Sequence, residues 1–257
     1  MDQSSHERVE ADLQPLQQPR VILTTRGITD EVADGFGAAL IEAAGDEQPR
    51  VALLITATLA PCSRCPSHTD PGEEVARKGR EVIDKSTAQL ASRFGALVEV
   101  IDAAADPVEQ LEAVLRRSHC IYVTGGNTFY LMYHMRQSGL DVLVRQRVLN
   151  EGAIFVGCSA GSIVAGRSIT TAFWKGWDDP YVVPYVWTEP DAVAGLGLVD
   201  VSLFPHYNAS LHQELVEHRQ HELDHDVVTL AETGGAYMVG PRSTSRSILH
   251  DAQSARI

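Results

Sequence analysis

The sequence predicts an α/β protein of three layers, in which helices cover both faces of a doubly wound, mainly parallel sheet. Three observations lead to this prediction. Short aliphatic runs alternate with segments of helical spacing, no internal repeat is present, and 44% of the 257 residues are hydrophobic. This content is enough for one large core, so residues 21–257 are expected to form a single domain. Residues 1–20 are polar and without periodicity, and we expect a flexible N-terminal extension.

The order of the expected elements is that of consecutive βαβ units. Apolar runs predict strands at 21–25, 51–57, 97–101, 120–124 and 153–157. Helical spacing predicts helices at 30–44, 72–94, 107–117 and 128–150, the last broken near Gly139. Three later runs, at 226–231, 236–239 and 246–250, are expected to be added or edge strands. Because a crossover helix returns the chain to a parallel neighbouring strand, the first part of the chain predicts a parallel sheet.

Composition limits the class of partner. Acidic residues outnumber basic ones by 34 to 21, and the net charge is −13. Such a chain is poorly suited to a phosphate backbone, so nucleic-acid binding is not expected. No apolar run approaches the roughly 20 residues that span a bilayer, and the first residues lack the apolar core of a signal peptide. We therefore expect a cytoplasmic protein without membrane contact, and its four cysteines suit a reducing compartment.

A candidate nucleophile lies in the sequence Gly157-Cys158-Ser159-Ala160-Gly161. This Gly-x-Ser-x-Gly motif stands between an apolar run typical of a strand and a small-residue segment typical of a helix start. In a sharp turn between strand and helix, glycines avoid a steric clash and the serine hydroxyl projects from the backbone. The amides that open the helix, beginning with Ala160, would face a developing oxyanion.

A second loop follows the run 120–124 and reads Gly125-Gly126-Asn127. Adjacent glycines let backbone amides approach a ligand, so Gly126 is a candidate for the second oxyanion donor. Gly125 and Asn127 are candidates for substrate contact. A tight turn with Asn127 as a helix N-cap explains the same residues equally well, and both interpretations can hold together.

An ordered series of motifs extends beyond the serine turn. It comprises CIYVTGGNTFYLMYHMRQSGLDVLVRQRVLNEGAIFVGCSAGSIVAG at 120–166, Glu189-Pro190, GLGLV at 195–199 and FPHYN at 204–208. The series resembles peptidase family S51, which contains aspartyl dipeptidase (peptidase E) and cyanophycinase. The resemblance covers about residues 120–240. It implies a flavodoxin-like fold of the class I glutamine amidotransferase type, with serine where the amidotransferases use cysteine. Cys158 precedes the nucleophile position and is not expected to replace it.

The resemblance implies that His206 is the general base. The residues themselves give modest support, because a Pro-His-aromatic sequence after the apolar run 199–204 puts an imidazole at a strand end. A neutral imidazole there can accept the Ser159 proton and return it to the leaving amine. The histidines at 212, 218, 221 and 225 lie in a polar segment of helical character and fit an exposed helix face.

Two acidic positions are candidates for orienting His206. Glu232 follows an expected strand and resembles the family's acidic residue before a glycine turn, although the usual Pro-Glu-Gly form is absent. Asp178 and Asp179 lie between the serine and the histidine, where some family members carry an acid, but the spacing is longer here. We favour Glu232 and keep the aspartates as the alternative.

Substrate contacts are expected from the segment 171–185, TAFWKGWDDPYVVPY. Trp174 and Lys175 are candidates for the wall of a pocket and for a charged end of a peptide. A loop that packs its aromatic residues onto the body of the protein explains the segment at least as well. Family dipeptidases bind an N-terminal aspartyl side chain through a basic residue downstream of the histidine. Arg219 is the nearest candidate, but the spacing is shorter than in the family.

Cys62 and Cys65, with His68 nearby, have the spacing of a metal or redox pair. A structural zinc site needs four ligands and no second pair is present, so we expect a loop with free thiols and no metal.

Together these observations predict a serine peptidase of the S51 type that hydrolyses a small peptide through an acyl-enzyme, with no cofactor. A cyanophycinase-like or other specialised peptide amidase is the alternative within the same class. A binding protein that keeps the fold without turnover is the alternative from another class. A homodimer is an open option for its assembly.

Overall fold

The computed structural model of the protein describes residues 20–61, 70–233, 235–240 and 246–249. The expected N-terminal extension, up to residue 19, and the pair Cys62 and Cys65 lie outside the described residues. Within the described ranges, no helix is long and apolar enough to cross a membrane.

The described chain alternates strands and helices as expected. The strands are β1 (Val21–Thr24), β2 (Arg50–Leu54), β3 (Leu97–Ile101), β4 (Cys120–Val123), β5 (Ile154–Cys158), β6 (Ser202–Tyr207), β7 (Val227–Ala231), β8 (Ala236–Val239) and β9 (Arg246–Leu249). The helices are α1 (Asp30–Ala44), α2 (Pro71–Phe94), α3 (Val108–Arg117), α4 (Thr128–Gln137), α5 (Leu140–Leu149), α6 (Ala160–Ala165), α7 (Thr171–Trp174) and α8 (Ala209–Arg219). Three 3-10 turns are Thr56–Leu59, Pro180–Val182 and Gln220–Glu222.

Seven strands form the central sheet in the order β3-β2-β4-β5-β1-β8-β9. The first five in this order are parallel, and β8 and β9 continue the sheet in antiparallel fashion. The predicted fold class, a mainly parallel sheet with added edge strands, is confirmed. The run 226–231 differs from the other added strands, because β7 pairs with β6 in a separate two-stranded sheet. The place beside β1 is already taken by β8.

The two faces of the central sheet are packed separately. Alternate residues of a strand point to opposite faces. In β5, Phe155 joins the core under α3 to α6, whereas Ile154 and Val156 join the core under α1 and α2. Helices on both faces of a hydrophobic parallel sheet give the three layers that the sequence predicted.

Local sequence signals set the ends of the helices near the site. The Asp70 side chain accepts hydrogen bonds from the amides of Gly72 and Glu73 and caps α2, which ends at Gly95 in a left-handed conformation. The expected long helix 128–150 is broken at Gly139, where φ is 73°, into α4 and α5. α4 begins directly after Asn127, whose side chain accepts from the Tyr130 amide.

Candidate active site

The candidate site lies where three adjacent parallel strands end. β4, β5 and β1 are neighbours, and their carboxyl ends lead into the loop at Gly125, into Ser159 and into Thr25, respectively. Loops at the carboxyl ends of such strands converge on the usual binding crevice of an open α/β sheet. The topology therefore brings residues from distant parts of the chain to one edge of the sheet.

Ser159 has a strained backbone, with φ 50° and ψ −106°. Its amide donates to the carbonyl of Thr24 at 2.9 Å, which fixes the turn against β1. The flanking glycines are required sterically: a Cβ on Gly157 would lie 2.5 Å from the Gly161 carbonyl oxygen, and one on Gly161 would lie 2.3 Å from that of Val123. A sharp turn of this kind presents the serine hydroxyl at the start of a helix.

The imidazole of His206 reaches Ser159 directly. Its Nε2 lies 2.9 Å from the Ser159 Oγ. His206 belongs to β6, at an irregularity in the pairing of β6 with β7 between Phe204 and Tyr207, and has a positive φ of 56°. Its amide donates to the hydroxyl of Thr25 at 3.2 Å. The irregular backbone thus turns the ring toward the strand ends.

Glu232 contacts the other ring nitrogen of His206. Its Oε2 lies 2.7 Å from the Nδ1 of His206. With Nδ1–H donating to this carboxylate, Nε2 is free to accept the serine proton. Desolvation acts to raise the pKa of Glu232, but the hydrogen bond from His206 and the charges of His206 and Arg26 outweigh it and hold this pKa below its usual range. The acid is therefore a stable anion at neutral pH.

The two aspartates of the alternative lie at the site but do not contact the Nδ1 of His206. Asp178 accepts from the amide of Thr128 at 2.9 Å, and Asp179 accepts from the amide of Tyr181. Burial raises the pKa of Asp178, against the opposing effects of Thr128, Lys175 and His206. Asp178 is thus a half-buried residue whose carboxyl group holds the start of α4 beside the site.

The loop after β4 caps α4, as one of the two interpretations of its residues predicted. Asn127 caps α4, and its side-chain amide donates to the carbonyl of Asp179 at 3.0 Å. Gly126 has a φ of 143°, and a Cβ there would lie 1.9 Å from the carbonyl oxygen of Ala57. Only glycine fits this approach. Gly125 lies against the serine, since its Cβ would be 3.1 Å from that of Ser159.

A cavity of about 670 Å³ opens on these residues. Its wall contains Ser159, His206, the loop 125–127, Asp178 and Asp179. Another wall is formed by α2, which contributes Lys78, Glu81, Lys85 and Gln89. Cys158 also faces this cavity. Burial raises the pKa of its thiol to about 11, which leaves it protonated and a weak nucleophile at neutral pH.

A second cavity of about 30 Å³ also borders Ser159 and His206. Trp177 and Asp178 line both cavities, whereas Lys175 lines only the small one. The Lys175 ammonium donates to the carbonyl of Pro205 and lies over the rings of Trp177 and Phe204, at 4.5 and 4.1 Å from their centroids. Lys175 therefore contacts the backbone next to His206 and is not placed in the wall of the large cavity.

Two other expected contacts are not brought to the site. Trp174 is buried in a small core with Phe204 and lines neither cavity, so the packing interpretation holds for this side chain. Arg219 lies at the exposed end of α8, pairs with Glu222 and lines neither cavity. Its position after the histidine in sequence does not carry it to the serine in space.

Several site residues were not found from the sequence. Thr25 and Arg26 follow β1, and no sequence motif marks either of them. Trp177 lies in the segment 171–185, from which only Trp174 and Lys175 were selected as candidates. Its ring centroid nevertheless lies 5.6 Å from that of His206. The wall formed by α2 had no local signal, because its residues are those of an ordinary amphipathic helix.

Comparisons with known proteins identify the family of the chain. The model of peptidase family S51 matches residues 74–239, well over half of the chain. An uncharacterised peptidase of Listeria innocua is 34% identical over 116 residues, which cover 45% of this chain and 52% of the relative. Peptidase E of Salmonella arizonae is 34% identical over 131 residues, 51% of this chain and 50% of that protein. The matched region thus spans about half the length of these curated relatives.

A solved structure shares the fold. A Listeria monocytogenes protein described provisionally as peptidase E superposes with a TM-score of 0.61 at 22% identity, over 91% of this chain and all of that one. The resemblance inferred from the ordered motifs is therefore confirmed by the family model, by relatives named peptidase E and by the shared fold. The chain belongs to peptidase family S51.

Proposed function

We propose that the protein is a serine peptidase that hydrolyses a small peptide through an acyl-enzyme. The observation that carries this proposal is the continuous connection from Ser159 through His206 to Glu232, with contacts of 2.9 and 2.7 Å at the edge of a large cavity. A nucleophile, a base and a group that orients the base are the three parts that acyl transfer requires.

The roles follow from the hydrogen bonds. His206 Nε2 accepts the Ser159 proton as the Oγ attacks the peptide carbonyl carbon, and the imidazolium is stabilised by Glu232. The proton then passes from Nε2 to the leaving amine as the carbon–nitrogen bond breaks and the acyl-enzyme forms. Water, deprotonated by the same nitrogen, releases the acid and restores the serine.

The amides of Gly126 and Ala160 are proposed to stabilise the oxyanion. The Ala160 amide opens α6 directly after the nucleophile and, as the first residue of a helix, has no intrahelical acceptor. Among the described residues, neither amide donates to a protein acceptor. The close approach of Gly126 to Ala57 holds the second donor in place.

The cavity suits a small peptide with charged ends. Its volume of about 670 Å³ lies in the range of small-molecule sites, about 300–1,000 Å³. Its lining carries both signs of charge, with Asp178 and Asp179 on one loop and Lys78 and Lys85 on α2. A preference for N-terminal aspartate would depend on these lysines or on Arg26, which also lines the cavity, because Arg219 does not.

A panel of dipeptides, including Asp-x peptides, tests the proposal with Ser159→Ala as the comparison. We expect hydrolysis by the native protein and loss of hydrolysis in Ser159→Ala. The Cys158→Ala variant is the matched control, since it changes the neighbouring residue and leaves the proposed nucleophile in place. Equal turnover by native protein and Ser159→Ala would overturn the mechanism.

The same panel separates the alternatives. Hydrolysis of other amides with no turnover of any Asp-x peptide favours a cyanophycinase-like or other specialised peptide amidase. Tight binding of peptides without turnover under any condition favours a binding protein on the same fold. A cytoplasmic location and a homodimer remain predictions for fractionation and sedimentation measurements.

A further inference from the structure

The base of the proposed mechanism lies on an irregular piece of backbone. In the pairing of β6 with β7, Phe204 is opposite Thr229 and Tyr207 is opposite Ala231, so that two residues, Pro205 and His206, face only one. Such a bulge leaves backbone groups out of the ladder. Proline has no amide hydrogen, so the groups that need partners include the Pro205 carbonyl and the His206 amide.

Side chains from outside the sheet supply those partners. The Thr25 hydroxyl accepts from the His206 amide at 3.2 Å and can donate to the Leu230 carbonyl, also at 3.2 Å. The Lys175 ammonium donates to the Pro205 carbonyl. Thr25 therefore bridges the bulge on one side, and Lys175 binds the carbonyl that immediately precedes the His206 amide on the other.

The position of Lys175 is itself fixed by packing. Its ammonium lies over the faces of Trp177 and Phe204, which is a favourable arrangement for a cation. Trp177 in turn packs on His206, with 5.6 Å between the ring centroids. Lys175 is thus connected to His206 by two sets of contacts. One is its hydrogen bond to the Pro205 carbonyl, and the other is its contact with the Trp177 ring, which packs on His206.

This lysine has no part in the mechanism proposed above. It lines only the small cavity, with Ser159 and His206, and does not face the large one. Burying an amine is costly unless its surroundings favour the charged form. Here the opposing charges are Glu232, from the turn after β7, and Asp178, from the loop after α7. The imidazoles of His206 on β6 and His212 on α8 also lie close to its aromatic support.

We propose that Lys175 is a positioning residue for His206: its ammonium holds the Pro205 carbonyl and Trp177, and this keeps Nε2 directed at Ser159. The inference rests on the proposed function, because it assigns a role relative to the proposed base. The Lys175 ammonium lines only the small cavity, and we assign it no contact with substrate. Its loss should change the reactivity of the serine much more than the binding of substrate.

Labelling of Ser159 by a fluorophosphonate tests this inference without knowledge of the peptide substrate. In that reaction the Oγ–phosphorus bond forms, fluoride leaves and the serine proton passes to His206. Small misplacements of reacting groups can cost on the order of 100-fold in rate, and we expect Lys175→Met to label about 10- to 100-fold more slowly than the native protein. Lys175→Arg should recover most of the rate, since a guanidinium can also bind the carbonyl and the rings. Arg116→Met, an exposed change on α3, is the control.

The pH dependence of the labelling rate distinguishes a positioning role from a general loss of structure. Burial lowers the pKa of Lys175 to about 8, against the opposing charges of Glu232 and Asp178. As the pH rises from 7 to 9.5, the native lysine loses its charge while an arginine keeps it. The ratio of the Lys175→Arg rate to the native rate should therefore rise. Native labelling by Lys175→Met would overturn the inference.

A nitrogen-15 NMR spectrum of the His206 ring separates this inference from the proposed function. The proton on Nδ1, hydrogen-bonded to Glu232 and identified by its coupling to nitrogen-15, should give a downfield proton signal in native protein and in Lys175→Arg. In Lys175→Met this signal should be weakened or shifted. If native protein is not labelled but this signal depends on Lys175, the peptidase proposal fails and the positioning role stands. If labelling occurs and the signal is the same in all three proteins, the positioning role fails alone.

Discussion

Arg26 binds Glu232 through two groups at once. Its Nε donates to the backbone carbonyl of Glu232 at 3.1 Å, and its Nη2 pairs with the carboxylate Oε1. The other carboxylate oxygen, Oε2, is left for His206. Arg26, two residues after the end of β1, therefore binds one carboxylate oxygen of the proposed acid while His206 contacts the other.

Replacing Glu232 should lower kcat far more than replacing its partner Arg26. In Glu232→Gln the amide cannot stabilise an imidazolium, and kcat should fall on the order of 10³-fold or more. In Arg26→Met the carboxylate remains, and an exposed ion pair is worth only about 0.2–1 kcal/mol, so kcat should fall about 2- to 5-fold. Steady-state kinetics on any hydrolysed dipeptide measure both. A larger loss in Arg26→Met than in Glu232→Gln contradicts the assigned roles.

Gly126→Ala should disrupt both the fold and the proposed oxyanion site. The new Cβ would lie 1.9 Å from the Ala57 carbonyl oxygen, so the backbone must move and the free energy of unfolding should fall by about 3 kcal/mol or more. Gly139→Ala is the matched control. Gly139 also has positive φ but has no atom within 4 Å of the added Cβ, and should lose only about 1–2 kcal/mol. Denaturant unfolding compares the two, and similar losses would exclude steric contact as the cause.

Local motifs predicted the strand ends of the site well. The Gly-x-Ser-x-Gly turn and the loop 125–127 carry their conformations in their own residues, so sequence locates them without tertiary information. The two tryptophans show the limit. Trp174 ends α7 and points into a core, whereas Trp177 lies in the following loop beside His206. The positions of the two tryptophans depend on where the four-residue helix α7 ends and on which residues pack against it. A segment this short has no periodicity from which the helix end or the packing could be predicted.

Long-range placement accounts for the remaining differences. Arg219 was selected for its distance from the histidine along the chain, but α8 carries it away to pair with Glu222. Arg26 and the lysines of α2 come to the site from more than 70 residues before the serine. Their positions follow from the strand order of the sheet, in which β1 lies beside β5 and the turn after β2 lies beside the loop after β4.

Cys158 should be dispensable for catalysis despite its place beside the nucleophile. Burial raises the pKa of its thiol to about 11, so almost no thiolate is present at neutral pH, and its Sγ lies 3.4 Å from the Thr25 carbonyl. Cys158→Ala should retain kcat within about 3-fold, the size expected for a modest packing change away from the reacting atoms. Iodoacetamide should react slowly at this residue, as followed by mass spectrometry. Loss of activity in Cys158→Ala comparable to that in Ser159→Ala would make the thiol a candidate nucleophile.

Because of the lowered pKa of Lys175, the free energy of unfolding should change with pH in the alkaline range. Its pKa is about 8 in the folded chain and about 10.5 in the unfolded chain, so between these values the unfolded state binds more protons and the contribution of this group to stability rises with pH. Between pH 7 and 9.5 the native protein should gain about 2 kcal/mol relative to Lys175→Met, since one pKa unit is worth about 1.4 kcal/mol. Urea unfolding at both pH values measures this difference. Other titrating groups are common to both proteins and cancel, so an unchanged difference would contradict the lowered pKa.

The lysines of α2 should affect acidic substrates, and Arg219 should not. Lys85 lines the large cavity and acts electrostatically on Cys158, beside the nucleophile, whereas Arg219 is paired with Glu222 outside both cavities. If Asp-x peptides are hydrolysed, Lys85→Met should raise their KM about 3- to 10-fold, as expected for one partly exposed charge contact of about 1 kcal/mol. The KM for neutral dipeptides should change little, and Arg219→Met should leave both values as they are. The opposite ranking would place the acidic group of the substrate near α8, and would require that helix to move toward the serine when peptide binds.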